Sequence, residues 1–212
     1  SYFEDDATFG NRNFTTAGLY GRGVFDNRDS DLDPTQGFYL EATIDPLYEL
    51  EYENFLARAT LEGRAYFAFD EDANYVLAGR VKAGAVAGPS LSEIPPDLLF
   101  FAGGGGSVRG YAYRSIGVDD GMGNTTGGRY LLEASLEGRV RFNDQFGAVA
   151  FVDGGYVAAD TFPDFDQLRL GAGVGIRYYT ALGPLRLDVA VPLNKSPGDP
   201  DYALYVGIGQ SF

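Results

Sequence analysis

Neither cysteine nor histidine occurs among the 212 residues. Without cysteine there are no disulfides and no thiolate metal sites, a condition that suits a bacterial envelope protein as well as a cytosolic one and so fixes no compartment. Without histidine, Ser-His triads, Asp-His pairs and most zinc or non-haem iron sites are excluded. An enzyme would have to work with carboxylates, Lys, Tyr or a bound group, so the chain is expected to be no enzyme and to carry no cofactor or metal. Basic residues are scarce: 16 Lys and Arg face 30 Asp and Glu, for a net charge of −14. That balance argues against nucleic acid as a partner, since a basic stripe is the footprint expected there. No apolar run approaches the roughly 18 residues of a transmembrane helix. The chain opens at Ser1 with neither Met nor a signal-peptide pattern, which reads as a mature form or an excised piece.

What the sequence has is glycine, 30 residues, and aromatics at 15%, nearly all Tyr and Phe. Both favour strands over helices. Residues 168–178 alternate cleanly: Leu168, Leu170, Ala172, Val174, Ile176 and Tyr178 on one face, Arg169, Gly171, Gly173, Gly175 and Arg177 on the other. Residues 184–192 repeat this, with Leu185, Leu187, Val189 and Val191 opposite Arg186 and Asp188, and residues 129–142 do so over a greater length. Further segments are expected at 16–25, 37–46, 51–69, 73–86, 146–158 and 203–212, with a partial one at 1–6. The total is nine or ten strands in a single domain over 1–212.

A soluble sandwich would bury the apolar face; an outer-membrane barrel would turn it to lipid and hold charges of both signs in its lumen. Aromatics near strand ends (Phe25, Phe67, Phe69, Phe142, Tyr178, Tyr179), Phe212 closing an amphipathic strand, and unequal connections favour the barrel. Turns at 70–72, 143–145 and 180–183 are short, while links at 159–166, 193–202 and above all 87–127 are long, and only the turn at 26–36 departs from this alternation. The expected fold is therefore all-β, an antiparallel transmembrane β-barrel with 87–127 as a long extracellular loop.

Gly103–Gly106 is no phosphate loop, because no Gly-Lys-Ser/Thr follows and no strand-to-helix pattern surrounds it. The run from Asp26 to Asp33 lacks the glycine and closing glutamate of a calcium loop, and Asp119, Asp120 and Asn124 read as solvated loop polarity. Val108-Arg109-Gly110-Tyr111 differs, since it places an arginine on a loop long enough to fold back into the lumen. There Asp153, in Phe151-Val152-Asp153-Gly154-Gly155, shares the lumenal face with Gly147, Phe151 and Gly155, and Glu133 and Glu137 share it on the preceding strand. Three wall carboxylates are a plausible receptor for one guanidinium.

These motifs resemble the BamA/TamA superfamily of outer-membrane assembly factors. Val108, Arg109, Gly110 and Tyr111 match its loop-tip signature, Phe151, Asp153 and Gly155 its aromatic-x-Asp-x-Gly strand motif, and Glu137 a strand glutamate of the same lock. Asp26-x-Arg28-Asp29 with Pro34-Thr35-x-Gly37, and Gly175 to Asp188, are most similar to the TamA branch. Phe212 is similar to the family's carboxy-terminal targeting signal. The resemblance implies an integral outer-membrane barrel, normally of sixteen strands preceded by POTRA domains, of which this chain matches the last nine or ten strands. It implies insertion or translocation of envelope proteins, or support of lipid transport, without nucleotide. The implied partners are unfolded β-barrel or secreted clients, outer-membrane lipids and lipopolysaccharide, and a TamB-like inner-membrane-anchored protein. A two-partner secretion pore shares the Val-Arg-Gly-Tyr signature and stands as the alternative, beside a short stand-alone barrel acting as a passive channel.

Overall fold

A computed structural model describes residues 14–160 and 167–212, so the partial strand expected at 1–6 lies outside the described residues. The strands are β1 (Thr16–Gly18), β2 (Gly21–Asp26), β3 (Gly37–Glu49), β4 (Asn54–Ala68), β5 (Tyr75–Ala87), β6 (Val118–Asp119), β7 (Thr125–Thr126), β8 (Tyr130–Arg141), β9 (Phe146–Ala158), β10 (Arg169–Thr180), β11 (Gly183–Pro192) and β12 (Ala203–Ile208). All but β6 and β7 form one antiparallel sheet in the order β1-β3-β4-β5-β8-β9-β10-β11-β12, with β2 also on β3. Among the described residues, β1 and β2 pair with β3 alone, and β12 with β11 alone.

The segment expected as one strand at 16–25 is two pieces in a single register, Gly18 opposite Leu47 and Gly21 opposite Ile44. Pro46 causes the break. The Leu19 amide donates to its carbonyl at 3.1 Å, but proline has no N–H to return, so the ladder lapses for two residues. The 87–127 link is also less plain than expected, for it contains a 3-10 turn at Leu91–Glu93 and the small β6–β7 hairpin. Elements of two or three residues are too short to leave a periodic signature.

The two faces are opposite to those of a soluble sheet. On β8, Glu133, Glu137 and Arg139 are buried while Leu136 is 52% exposed; on β10, Arg177 is buried while Val174 and Ile176 are exposed. Phe25, Phe67, Phe69, Phe142 and Tyr178 lie exposed near strand ends. Tyr179 does not join them: it turns inward, under the Arg141 guanidinium at 4.1 Å from its ring centroid. Apolar packing sits on the inner face, where the long loop folds back and buries Ile94, Leu99, Phe100, Val108 and Tyr111 against Leu56, Val86, Leu131 and Val157 of the wall.

The opposite, short-turn end is closed by the connection between β2 and β3. The Gln210 amide donates to the Leu32 carbonyl (2.8 Å), Gln210 Nε2 to Asp33 Oδ1 (2.9 Å) and Arg139 Nη1 to the Pro34 carbonyl (3.0 Å). The expectation that Phe212 closes an amphipathic strand is corrected. β12 ends at Ile208, Gly209 takes a positive φ of +84°, and Phe212 is buried on the inner face against Tyr66 and Ala78, its carbonyl accepting from Arg139 Nη2 at 3.3 Å.

Candidate functional site at the loop tip

The loop tip is built by a tight turn. Gly103 and Gly104 take φ +101°, the Gly104 amide donates to the Val108 carbonyl (3.2 Å) and the Gly103 amide to Ser107 Oγ (2.9 Å). This turn directs Arg109 at the wall. Its Nε and Nη2 reach the two Asp153 oxygens at 2.7 and 2.9 Å, its Nη1 reaches Glu137 Oε2 at 2.9 Å, and its own amide donates to Asp153 Oδ2 at 3.1 Å. The guanidinium lies over the Phe151 ring, its Cζ 3.3 Å from the centroid. Its side chain is 2% exposed and both carboxylates are fully buried. Burial alone would weaken the charge of Arg109, but Asp153 and Glu137 outweigh it and hold the proton more firmly than usual. A forked, charge-assisted contact of this kind fixes orientation as well as distance.

Two wall glycines make the seat. A Cβ on Gly171 would stand 1.9 Å from the Arg109 carbonyl oxygen, and one on Gly155 2.4 Å from Val108 Cγ2, so the tip lies directly on the strand backbone. Gly110, at φ +101°, turns the chain within 2.8 Å of the Val191 carbonyl carbon measured from an added Cβ. Tyr111 then anchors the far side, its hydroxyl 3.1 Å from the Leu170 carbonyl and 2.9 Å from Asn194 Oδ1. Tyr205 of β12 closes the contact: its hydroxyl accepts from the Gly110 amide (3.0 Å) and donates to the Tyr111 carbonyl (3.2 Å).

The structure thus brings Val108, Arg109, Gly110, Tyr111, Glu137, Phe151, Asp153 and Gly155 together. It does not bring Glu133 to Arg109, as a three-carboxylate receptor required. Glu133 instead accepts from Ser107 Oγ and from Arg80 Nη2, the latter at 3.0 Å, and Arg80 also reaches Glu62 at 3.2 Å. The third carboxylate beside Arg109 is Asp188, 3.6 Å from Nη1 and bonded to Arg177. Arg139 Nε donates to Glu137 Oε1 at 2.8 Å, and Arg177 Nε to Gln210 Oε1 at 2.7 Å. Sequence reasoning placed Arg177 and Asp188 on inner faces but not in this cluster. The signal was the glycine facing them: a Cβ on Gly175 would stand against Asp188 Oδ1 and Arg177 Nη1, so the space those groups use is the missing side chain's.

An apolar exterior, charges of both signs within, and a loop folded onto the inner face define a portion of a transmembrane β-barrel wall. The family model of the Omp85 superfamily domain matches residues 3–212, and the chain belongs to that superfamily. It is similar to the outer membrane protein assembly factor BamA of Nitratidesulfovibrio vulgaris, 32% identical over 127 residues, which are 58% of this chain and 16% of that protein. In fold it is similar to the crystal structure of BamA from Haemophilus ducreyi lacking POTRA domains 1–3, with a TM-score of 0.73 and 22% identity over 88% of this chain and 41% of that one. The chain therefore spans well under half the length of either relative. It is an integral outer-membrane component of a Gram-negative bacterium.

Proposed function

We propose that this chain is the carboxy-terminal wall of an outer-membrane assembly factor that inserts or translocates envelope proteins without nucleotide. One observation carries the reading: the loop tip is bound at once to β8 and β9 through Arg109 and to the edge strand β12 through Tyr205. The tip acts as a conformational lock, with no catalytic role. It holds the inner face in one arrangement with β12, which pairs with β11 alone among the described residues; a strand edge of this kind is a template for an incoming strand. The name of the N. vulgaris relative supports the assembly role. The finer reading is a TamA-like factor with the loop end outside the cell, working with a TamB-like inner-membrane-anchored partner and, through it, in lipid transport. Phe212 serves as the targeting signal in the unfolded chain, before its ring is buried.

The test is replacement of Arg109 by Ala in the full-length protein in its source, with folded and unfolded outer-membrane barrels quantified by heat-modifiable mobility. Fewer folded clients at an unchanged level of the variant support the lock. An unaltered client profile on complete removal of the protein would sink the assembly reading.

A further inference from the structure

Three arginines surround the Glu137 carboxylate, which has two oxygens to offer them. Oε2 accepts from Arg109 Nη1 at 2.9 Å and Oε1 from Arg139 Nε at 2.8 Å. The third, Arg177 on β10, brings its Nη2 only to 3.9 Å from Oε2. Both side chains are fully buried, and that Nη2 makes no hydrogen bond among the described residues. The rest of the guanidinium is engaged: Nη1 donates to Asp188 Oδ1 and to the Ile176 carbonyl, and Nε to Gln210 Oε1. Asp188 Oδ2 is likewise without a hydrogen bond and stands 3.6 Å from Arg109 Nη1. A donor and an acceptor, both buried and each beside one half of the Arg109–Glu137 contact, mark a network with a second way to pair.

The second pairing lies close to the first. A move of about 1 Å, from 3.9 Å to the 2.9 Å that Arg109 has, would put Arg177 Nη2 on Glu137 Oε2. We infer that Arg177 is the substitute cation of the lock: when the loop tip lifts, Arg177 takes the Glu137 oxygen that Arg109 leaves. The inference rests on the reading of the tip as a lock. Without a substitute, lifting would leave that oxygen buried and without its donor, which is costly for a charged group. With one, Glu137 stays paired in both states and the tip can leave and return. Asp153 has an ion pair with Arg109 alone among the described residues, so it sets how firmly the tip is held, and Glu137 how readily it is released. Asp188 opposes the exchange, because it holds Arg177 through Oδ1 and draws Arg109 through Oδ2. Arg177 and Asp188 are therefore positioning residues of opposite sense, although they form one ion pair.

The experiment follows hydrogen exchange of the segment 107–111 in the full-length protein in lipid nanodiscs, relative to β4 and β5, so that loosening of the whole wall mimics neither outcome. R177K keeps the charge, but one ammonium cannot serve Asp188, Gln210 and Glu137 together. The lifted state then loses its substitute, and the segment is expected to exchange about tenfold more slowly, the weight of one hydrogen bond to a charged group. D188N frees Arg177 for Glu137 and should speed the same segment. An ion pair that only supports the seat would speed exchange when broken from either side, so acceleration in R177K overturns the inference. An unchanged rate in R177K does so too, since charge alone would then act, as does a slower or unchanged rate in D188N. In an E137Q background the slowing by R177K should vanish; its persistence would show that the effect bypasses Glu137 and would also overturn the inference. R109K must speed the segment if the tip is a lock at all, and failure there removes the lock reading itself.

Discussion

The Gly110 amide donates to the Tyr205 hydroxyl at 3.0 Å, across 95 residues of sequence, and joins the tip of the longest loop to the edge strand. Tyr205→Phe removes the acceptor and leaves a half-buried amide unsatisfied, at about 1–3 kcal/mol. Hydrogen exchange is expected to speed up at Gly110 and along β12 together, with β4 and β5 unchanged. Acceleration confined to β12 would mean that the tip and the edge are not coupled.

Arg109→Ala strands the fully buried Asp153 carboxylate and leaves Glu137 with Arg139 as its hydrogen-bonded arginine, and should destabilise the fold by about 3–5 kcal/mol. Arg109→Lys keeps the charge but cannot occupy both Asp153 oxygens and Glu137 at once, so an intermediate loss is expected. Urea unfolding of the refolded protein in micelles measures both; a lysine variant as stable as the original would show that charge alone suffices.

Gly171→Ala tests the seat without touching a charge. The added methyl would meet the Arg109 carbonyl oxygen at 1.9 Å, so the tip must lift off the wall. Limited proteolysis is expected to cut within the loop of this variant and to spare it in Gly138→Ala, whose added Cβ meets nothing within 4 Å.

Asp29 supplies a pH dependence. Burial pushes its carboxyl up, but bonds from the Thr35 hydroxyl and amide and the Gln36 amide outweigh this and hold it below its ordinary value of 3.8. A group with a depressed folded value contributes stability that is complete above the ordinary value and is lost as pH falls through the depressed one. Asp29→Asn should therefore lower the unfolding temperature at pH 7 and converge with the original protein in strong acid. A gap that stays constant into strong acid would assign the effect to packing.

Strand positions were legible because alternation is strict wherever one face is wet and the other apolar, as on β8 and β10. The pairing of Arg109 with Asp153 was legible for a related reason: a loop arginine and an inward strand carboxylate are each costly alone. Glu133 was misassigned because alternation gives the face and not the depth. It lies four residues from Glu137 on one strand, roughly 13 Å, too far for one guanidinium to reach both. Asp188, Arg177 and Arg139 entered the cluster only through the register of β8 to β11 and the inward turn of the chain after Ile208, neither of which a period contains.

The bonds from Gln210 to Leu32 and Asp33 join positions 178 and 177 residues apart. Contacts so remote in sequence form slowly, because the loop they close must first give up its freedom. The base of the wall settles only when the segment after β12 meets the connection after β2, so both belong to a late stage of folding, and loss of the Gln210 contacts would leave that end ajar.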